Sequence, residues 1–513
     1  MMCGIFGIVH FDGAPVQPEM LSTMAAQMVH RGPDDEANWI EGSVGIGMRR
    51  LSIIDLSGSR QPIVNETGDV RIVLNGEIYN YRELRSELIQ LGHHFITEGD
   101  VEVVLHLYEE MGTECIQRLN GMFALAIYDQ RLQRLWLARD RLGIKPLYYR
   151  HLPNGFAFAS DLRSLAAATG GKINSLALIS YLGYSYIPEP NTIYCDIQKL
   201  ETAGQLVVEK KGSVQLSRYW RPNQLAPWEG TVEAAAKQLE ELLLDAANLQ
   251  LRSDVPVGVF LSGGVDSSAV AALTTRVNGA EAVKTFTIDF TGKRGSDGDH
   301  AESFARMLGT EHHRIAVDIH DQISAIDQLL PLLDEPMSDS AIVPTYILSR
   351  FARERGVKVL LSGAGGDEVF GGYSRHFPGR VGSAAWVAKH PWVSSTLRFL
   401  MAGSRPHWAR RFVTPSRNFA IMISGANLEF LAQAFHDHRT FQYLTERYEQ
   451  DFAAAYSTSP IERMRLDLEN YLPNNVLALT DKATMAASVE GRVPLLDHRV
   501  VEFAFSLPPA FNP

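Results

Sequence analysis

Short apolar runs punctuated by Gly, Asn and Asp fill the first 220 residues. They predict strands over residues 5–10, 71–74, 121–129 and 135–140. Between them, Leu84, Leu88 and Leu91, then Val104, Leu107 and Tyr108, recur at helical spacing and predict helices over 81–91 and 101–111. A proline-bearing break at 221–227 follows Tyr219-Trp220 and reads as a linker. Beyond it the pattern changes. Residues 231–251 place Leu239, Leu242, Leu243, Ala246 and Leu249 on one side of a long amphipathic helix. Strand-like runs at 255–261, 284–290 and 357–361 then alternate with helical ones at 267–277, 302–308 and 345–355, which predicts a parallel sheet covered by helices. The two halves differ in kind: sheet-rich with a few packed helices, then alternating α/β.

Composition narrows the class. A chain of 513 residues with 45% hydrophobic and 21% charged positions is ordinary for a globular protein, which excludes collagen, a coiled-coil rod and a disordered chain. At roughly 150 residues per domain the length predicts two to four domains. The net charge of −11 argues against a general nucleic-acid or anionic-membrane binder. No apolar run approaches the ~18–20 residues of a membrane span. The start lacks a basic region and a small-residue cleavage site, so it does not read as a signal peptide. Three cysteines, Cys3, Cys115 and Cys195, form no C-x-x-C pair, which leaves disulfide scaffolds and structural zinc sites without support and makes a reducing cytoplasm the expected setting. Cys115 and Cys195 are expected to be buried thiols.

The strongest local signal is Val259-Phe260-Leu261-Ser262-Gly263-Gly264-Val265-Asp266-Ser267-Ser268. A buried strand runs through a Ser/Gly turn into a helix start, where two glycines admit a close anion and free N–H groups point at it. Asp266 beside such a site suits Mg²⁺, which takes carboxylates together with phosphate oxygens. The loop lacks the Gly-Lys-Ser/Thr of a Walker A motif, and the chain has no GxGxxG.

That SGGVDSS loop resembles the pyrophosphate loop of ATP pyrophosphatases, and Met2-Cys3-Gly4-Ile5-Phe6-Gly7 resembles the opening of class II (N-terminal-nucleophile) glutamine amidotransferases. His30-Arg31-Gly32-Pro33-Asp34, Arg50-Leu51-Ser52-Ile53, Asn75-Gly76-Glu77-Ile78-Tyr79-Asn80 and Asp100 look like further signatures of that domain. Asp334-Glu335-Pro336, the run from Leu361 to Glu368 (LSGAGGDE) and the run from Val489 to His498 (VEGRVPLLDH) look like the synthetase domain of glutamine-hydrolysing asparagine synthetases. The resemblance covers nearly the whole chain, in order. It implies a four-layer αββα N-terminal-nucleophile domain over 1–220 and a doubly wound parallel-sheet ATP pyrophosphatase domain with extra helices over 221–513.

The resemblance also implies roles. Cys3 would attack the glutamine amide, its own α-amine taking the thiol proton. Asn75 and Gly76 would form the oxyanion hole, with Arg50 on the glutamine carboxylate and Glu77 and Asp100 on its ammonium. Leu261, Ser262, Gly263, Gly264, Val265, Asp266, Ser267, Ser268, Ile288, Ser362 and Gly363 would hold ATP, and Asp266 and Asp367 would bind Mg²⁺. His312-His313 matches a family stretch but is expected to be structural. The implied partners are glutamine, ATP and a carboxylate, aspartate before others, with no nucleic acid or membrane; analogy with relatives adds a homodimer.

Three departures qualify this. The mechanism needs the cysteine first, so translation is expected to begin at Met2, whose excision exposes Cys3. Ala364 stands where the family usually has a glutamate tied to aspartate activation, so Glu368 or Glu335 would have to substitute, or another carboxylate is the acceptor, as in natural-product or cell-surface polysaccharide pathways. Family members continue to a Gly-x-x-Lys segment that contacts pyrophosphate, so the synthetase half is expected to be incomplete at its C-terminus. An intramolecular amide-forming relative fits poorly beside a complete glutaminase set. A non-catalytic glutamine- or nucleotide-binding regulator is the alternative of a different class.

Overall fold

The glycines at 45 and 47 alternate with Val44, Ile46 and Met48 in a strand that was not expected from the chain. In the computed structural model, which describes residues 3–210, 212–222, 225–291, 297–377, 419–420, 422–423, 438–456 and 459–508, β1 (Cys3–His10) pairs antiparallel with β3 (Val44–Arg50). A Cβ at Gly47 would lie 2.6 Å from a ring carbon of Phe6, and one at Gly45 2.9 Å from Leu21, so these glycines make room for the packing above them. The edge strand β2 (Asp35–Glu41), with one side unpaired, escapes prediction because Asp35, Glu36, Asn38 and Glu41 break up its few apolar residues, Ala37, Trp39 and Ile40.

The remaining strands of the first half are β4 (Ile63–Val64), β5 (Val70–Ile78), β6 (Gly121–Asp129), β7 (Arg134–Arg139), β8 (Tyr148–Leu152), β9 (Gly155–Ala159), β10 (Gln198–Lys199), β11 (Gly204–Glu209) and β12 (Val214–Arg218). They form two six-stranded antiparallel sheets, ordered β10-β8-β9-β1-β3-β2 and β12-β11-β7-β6-β5-β4. Period-2 alternation in β1 explains the stacking. Cys3, Ile5 and Val9 join the apolar layer shared with Ile72, Leu74 and Leu125 of the second sheet. Phe6 and Ile8 face the other way, onto α1 (Pro18–Gln27) and, further along the chain, helix Leu162–Thr169. On the far side, α2 (Tyr81–Leu91) and α3 (Val101–Met111) cover the second sheet with Leu84, Leu88, Val104 and Leu107. The result is the expected four-layer αββα arrangement.

In the second half, β13 (Val257–Phe260), β14 (Lys284–Phe290), β15 (Glu311–Val317), β16 (Val359–Leu361) and β17 (Glu490–Arg492) make a parallel sheet ordered β15-β14-β13-β16-β17. The chain leaves β13 on one side for β14 and β15, then returns on the other for β16 and β17. The switch point between β13 and β16 opens a crevice at the carboxyl ends of these strands, the place where such sheets bind ligands. Helix Val265–Asn278 follows β13, one residue or two longer at each end than the pattern predicts.

The segment after Tyr219 is held against the far end of the chain, apart from 223–224, which lie outside the described residues, as do 509–513. Trp220 donates its indole N–H to Glu502 (2.5 Å), Trp228 donates its backbone N–H to Ser506 (2.8 Å), and the Trp228 ring meets Phe503 edge-on. Cys115 is buried as expected; Cys195 is exposed, in the loop between helix Ser175–Tyr184 and β10.

Candidate active site

Strand register brings the first set together. Cys3 opens β1 directly opposite Arg50 at the end of β3. Its backbone N–H donates to Asn75 Oδ1 (2.9 Å) on β5, and the Asn75 amide in turn lies 3.4 Å from Ser160 Oγ. The Cys3 thiol is buried, which pushes it up to about 12 despite the Leu51 N–H and the nearby Arg50 cation. A buried thiol at that value needs an adjacent base before it can act as a nucleophile.

Gly76 follows with φ of 140°, where a Cβ would stand 1.9 Å from the Met122 carbonyl oxygen on β6. Only glycine fits there. Glu77 is next and fully buried; burial first, then Asp100 and Glu490, push its carboxyl up to about 8 against the pull of Arg492. Asp100, just before α3, accepts from the Ile78 N–H through Oδ2 (2.8 Å), while Oδ1 is buried with no hydrogen-bond partner among the described residues. Arg50 is buried too, its guanidinium donating to the carbonyls of Ile54, Asp55 and Leu56. A nucleophile, a backbone position within β5 that only glycine fits, a buried cation and an unsatisfied carboxylate oxygen are thus carried by β1, β5 and β3 and by the start of α3. Such a set can hold an amino acid by both ends and stabilise an oxyanion beside the thiol.

The second set lies in the crevice of the parallel sheet. The Ser262 and Ser267 hydroxyls bond each other (2.9 Å), and Ser267 Oγ donates to the Gly264 carbonyl (3.1 Å), which shapes the loop before its helix. Gly263 adopts φ of 77°, and Val265 projects into solvent. Ser268 N–H closes the first helical turn on Gly264. The loop after β16 presses against this helix start: Cβ atoms at Gly363 and Gly366 would lie 2.7 Å from Ser267 N and 2.4 Å from Asp266 Cγ. Asp266 and Asp367 are thereby neighbours. Burial, then the Asp367 charge, raises the Asp266 carboxyl, the mutual cost that a divalent cation between them would relieve. Leu261 is buried under the loop, with its N–H on the Phe286 carbonyl (2.9 Å). Ile288 is half-buried near the end of β14, and Ser362 N–H donates to the Arg492 carbonyl (2.8 Å).

Of the two carboxylates considered as substitutes near Ala364, Glu335 is already taken, ion-paired to Lys199 (2.8 Å) and accepting from Ile193 N–H. Glu368 is buried and accepts from the Tyr373 hydroxyl (3.1 Å), with burial pushing it up to about 7. Ala364 itself packs on an apolar cluster with Leu142, Val369 and Leu496.

Several of the motifs with no assigned role join the two halves. Arg31 forms a buried bidentate pair with Asp481 (2.8 and 3.2 Å), Asp34 pairs with Lys358 (2.9 Å), and the His30 carbonyl accepts from Ser488. Asp334 takes the Leu162 N–H (3.0 Å) and pairs with Lys482. Most telling is Arg492 on β17, fully buried, bonded to Glu490 (2.6 Å) and 3.4 Å from Glu77. No strand was expected there; the available signal was the pair Glu490-x-Arg492 set between the apolar Val489 and Val493, since buried charges demand partners.

This architecture defines a glutamine-dependent amidotransferase: an N-terminal-nucleophile layer structure joined to a nucleotide-type parallel sheet. Residues 2–220 match the glutamine amidotransferase domain family and residues 238–512 the asparagine synthase family. The chain is 32% identical to asparagine synthetase [glutamine-hydrolyzing] 1 of Bacillus subtilis over 99% of its own length and 81% of that protein. It is 31% identical to asparagine synthetase [glutamine-hydrolyzing] 3 of the same organism, over 99% and 81%. The chain belongs to the glutamine-hydrolysing asparagine synthetase family and is a ligase of that type. Among the described residues no helix is long and apolar enough to cross a membrane.

Proposed function

We propose that residues 1–220 hydrolyse glutamine at Cys3 and that residues 221–513 use the ammonia to amidate an ATP-activated carboxylate, aspartate in the first place. The thiolate adds to the glutamine amide, ammonia leaves, and water releases glutamate from the thioester. Asn75 and the backbone at Gly76 receive the oxyanion, Arg50 the carboxylate, Glu77 and Asp100 the ammonium. Once the residues before Cys3 are removed, the nitrogen that Asn75 holds becomes the α-amine that takes the thiol proton. ATP lies over the 262–268 loop with its adenosine against Leu261, Ile288, Ser362 and Gly363. Asp266 and Asp367 fit Mg²⁺, which when bound offsets the pyrophosphate charge. The acceptor carboxylate attacks the α-phosphorus, pyrophosphate leaves, and ammonia then displaces AMP from the carboxyl-adenylate.

The observation that carries this reading is the buried Glu77–Arg492 contact, which ties the glutamine set to the sheet holding the nucleotide set. A small, partly open pocket between the halves, lined by Ile144, Tyr148, Asp481 and Lys482 among others, has room for a molecule the size of water or ammonia and supports internal transfer. The three cysteines are all unpaired, consistent with a reducing, cytoplasmic setting. Apolar packing at Ala364 favours a second reading for the acceptor alone, a carboxylate other than aspartate.

The test is pyrophosphate release with ATP, glutamine and a panel of acids. Aspartate-dependent release with asparagine formed is expected. Release with another acid only moves the acceptor to the second reading, and none with any acid overturns the ligase.

A further inference from the structure

Away from both sites, on the outer helical layer of the first half, four side chains converge from three segments. Glu66 lies in the turn between β4 and β5, His93 just after α2, and His106 and Glu109 one turn apart on α3. One oxygen or nitrogen from each lies within 4.8 Å of all the others. His106 Nδ1 is 2.9 Å from Glu109 Oε2 and 3.6 Å from Glu66 Oε2, and His93 Nδ1 is 3.9 Å from Glu109 Oε2. Four ligands at about 2.0–2.1 Å around a tetrahedral Zn²⁺ stand about 3.3 Å apart, so the gathered atoms, the widest pair within 4.8 Å, close on such an ion with side-chain shifts of up to about an ångström.

The independent observation is what stands behind each of the four. His93 Nε2 bonds Glu110 (3.0 Å), and His106 Nε2, in a ring 99% buried, faces Glu102 at 3.6 Å without hydrogen-bonding it. The other oxygens of the two carboxylates are held as well: Glu109 Oε1 accepts from Asn65 Nδ2 (2.7 Å) and Glu66 Oε1 from the His94 N–H (3.2 Å). Both imidazoles thus turn Nδ1 inward with a carboxylate behind them, hydrogen-bonded at His93 and 3.6 Å away at His106, the arrangement that orients metal-bound histidines. The low cysteine count does not bear on this, since imidazole and carboxylate suffice for zinc.

We infer that Glu66, His93, His106 and Glu109 form a structural site for a divalent d-block cation, Zn²⁺ foremost, that clamps the 64–69 turn and the end of α2 onto α3. Asp100 stands immediately before α3, so the clamp also steadies the helix that begins at the glutamine pocket.

The test uses tag-free full-length protein in excess Mg²⁺, which saturates oxygen-only sites, dialysed against limiting Zn²⁺ or Co²⁺. One retained equivalent per chain, a Co²⁺ visible spectrum of tetrahedral nitrogen–oxygen type and a Zn²⁺-dependent rise in melting temperature are expected. H93Q and E109Q should each lose the equivalent and the rise. The inference is overturned if wild type retains no stoichiometric metal, leaving a plain hydrogen-bonded His/Glu cluster. It is equally overturned if folded variants bind as wild type does, or if the cobalt spectrum shows thiolate charge transfer. Should a variant fail to fold, the wild-type stoichiometry and spectrum decide the matter alone.

Discussion

Replacing Asp100 by Asn tests the glutamine pocket at its most exacting point. Asp100 Oδ2 holds the Ile78 N–H at 2.8 Å while Oδ1 has no partner among the described residues. The amide can keep the Ile78 bond through its oxygen, so the strand end is preserved, but it then turns N–H donors toward the bound ammonium. Losing a charge-assisted hydrogen bond costs about 1.5–3 kcal/mol, which at about 1.36 kcal/mol per decade is roughly a 10- to 150-fold fall in kcat/KM for glutamine. Part of this is offset. The Asp100 charge is one of the causes that raise Glu77, so its removal lets Glu77 ionise more readily and take over some of the attraction. The single variant should therefore sit in the lower part of the range, and D100N/E77Q should fall well beyond the product of the two single losses. Glutamate release measures the glutaminase, and pyrophosphate release with ammonium in place of glutamine measures the synthetase. The reasoning is refuted if D100N stays within about twofold of wild type with glutamine, or if the ammonia-dependent reaction falls in parallel.

Further outcomes follow from the same geometry. Because Glu77 is held near 8, it keeps its proton in the free pocket at lower pH, whereas the ammonium of glutamine favours the ionised form. Hence kcat/KM for glutamine should rise with pH up to about 8, and a pH–rate profile of E77Q should lose that limb. For stability the sign is opposite: between the ordinary value of 4.5 and about 8 the folded carboxyl retains a proton the unfolded one releases, so Glu77 weakens the fold as pH rises through that window, and E77Q should flatten the melting temperature there. D266N should lower pyrophosphate release by about a hundredfold or more, since several kcal/mol of charge stabilisation depends on the cation, with glutamate release intact; an equal loss of both would count against separate sites. D481N breaks the buried pair with Arg31 and should destabilise the protein by about 3–5 kcal/mol in thermal or denaturant unfolding; a change below about 1 kcal/mol would show the pair to be dispensable.

The parts of this molecule that could be read from the chain were those where local physics acts alone. Helices α2 and α3 fall where the leucine spacing puts them, and the 262–268 turn announces itself because a strand, two glycines and a helix start are contiguous. Strand β3 shows its alternation in Val44, Ile46 and Met48, but its glycines are chosen by Phe6 and Leu21, which lie far away in sequence. The residues around Cys3 were named by resemblance, but their arrangement depends on β1 lying between β3 and β9, a matter of register that no local pattern carries. Arg31, Asp334 and Arg492 looked like motif fragments; only the joined halves show that each finds its partner in the other half. The His/Glu cluster is the extreme case, since its ligands span residues 66–109 with no regular spacing.

The anchoring of the linker on the last helix has a consequence for how the protein is made. Trp220 and its acceptor Glu502 are 282 residues apart. On a ribosome adding about 5–20 residues per second, the linker emerges roughly 15 to 55 seconds before the helix that covers it. For that interval Trp220, resting on Leu142 and Ala203, and Trp228 lack the helix that covers them. The amidotransferase half is thus born first but left unsealed until the helix over 498–506 has been made.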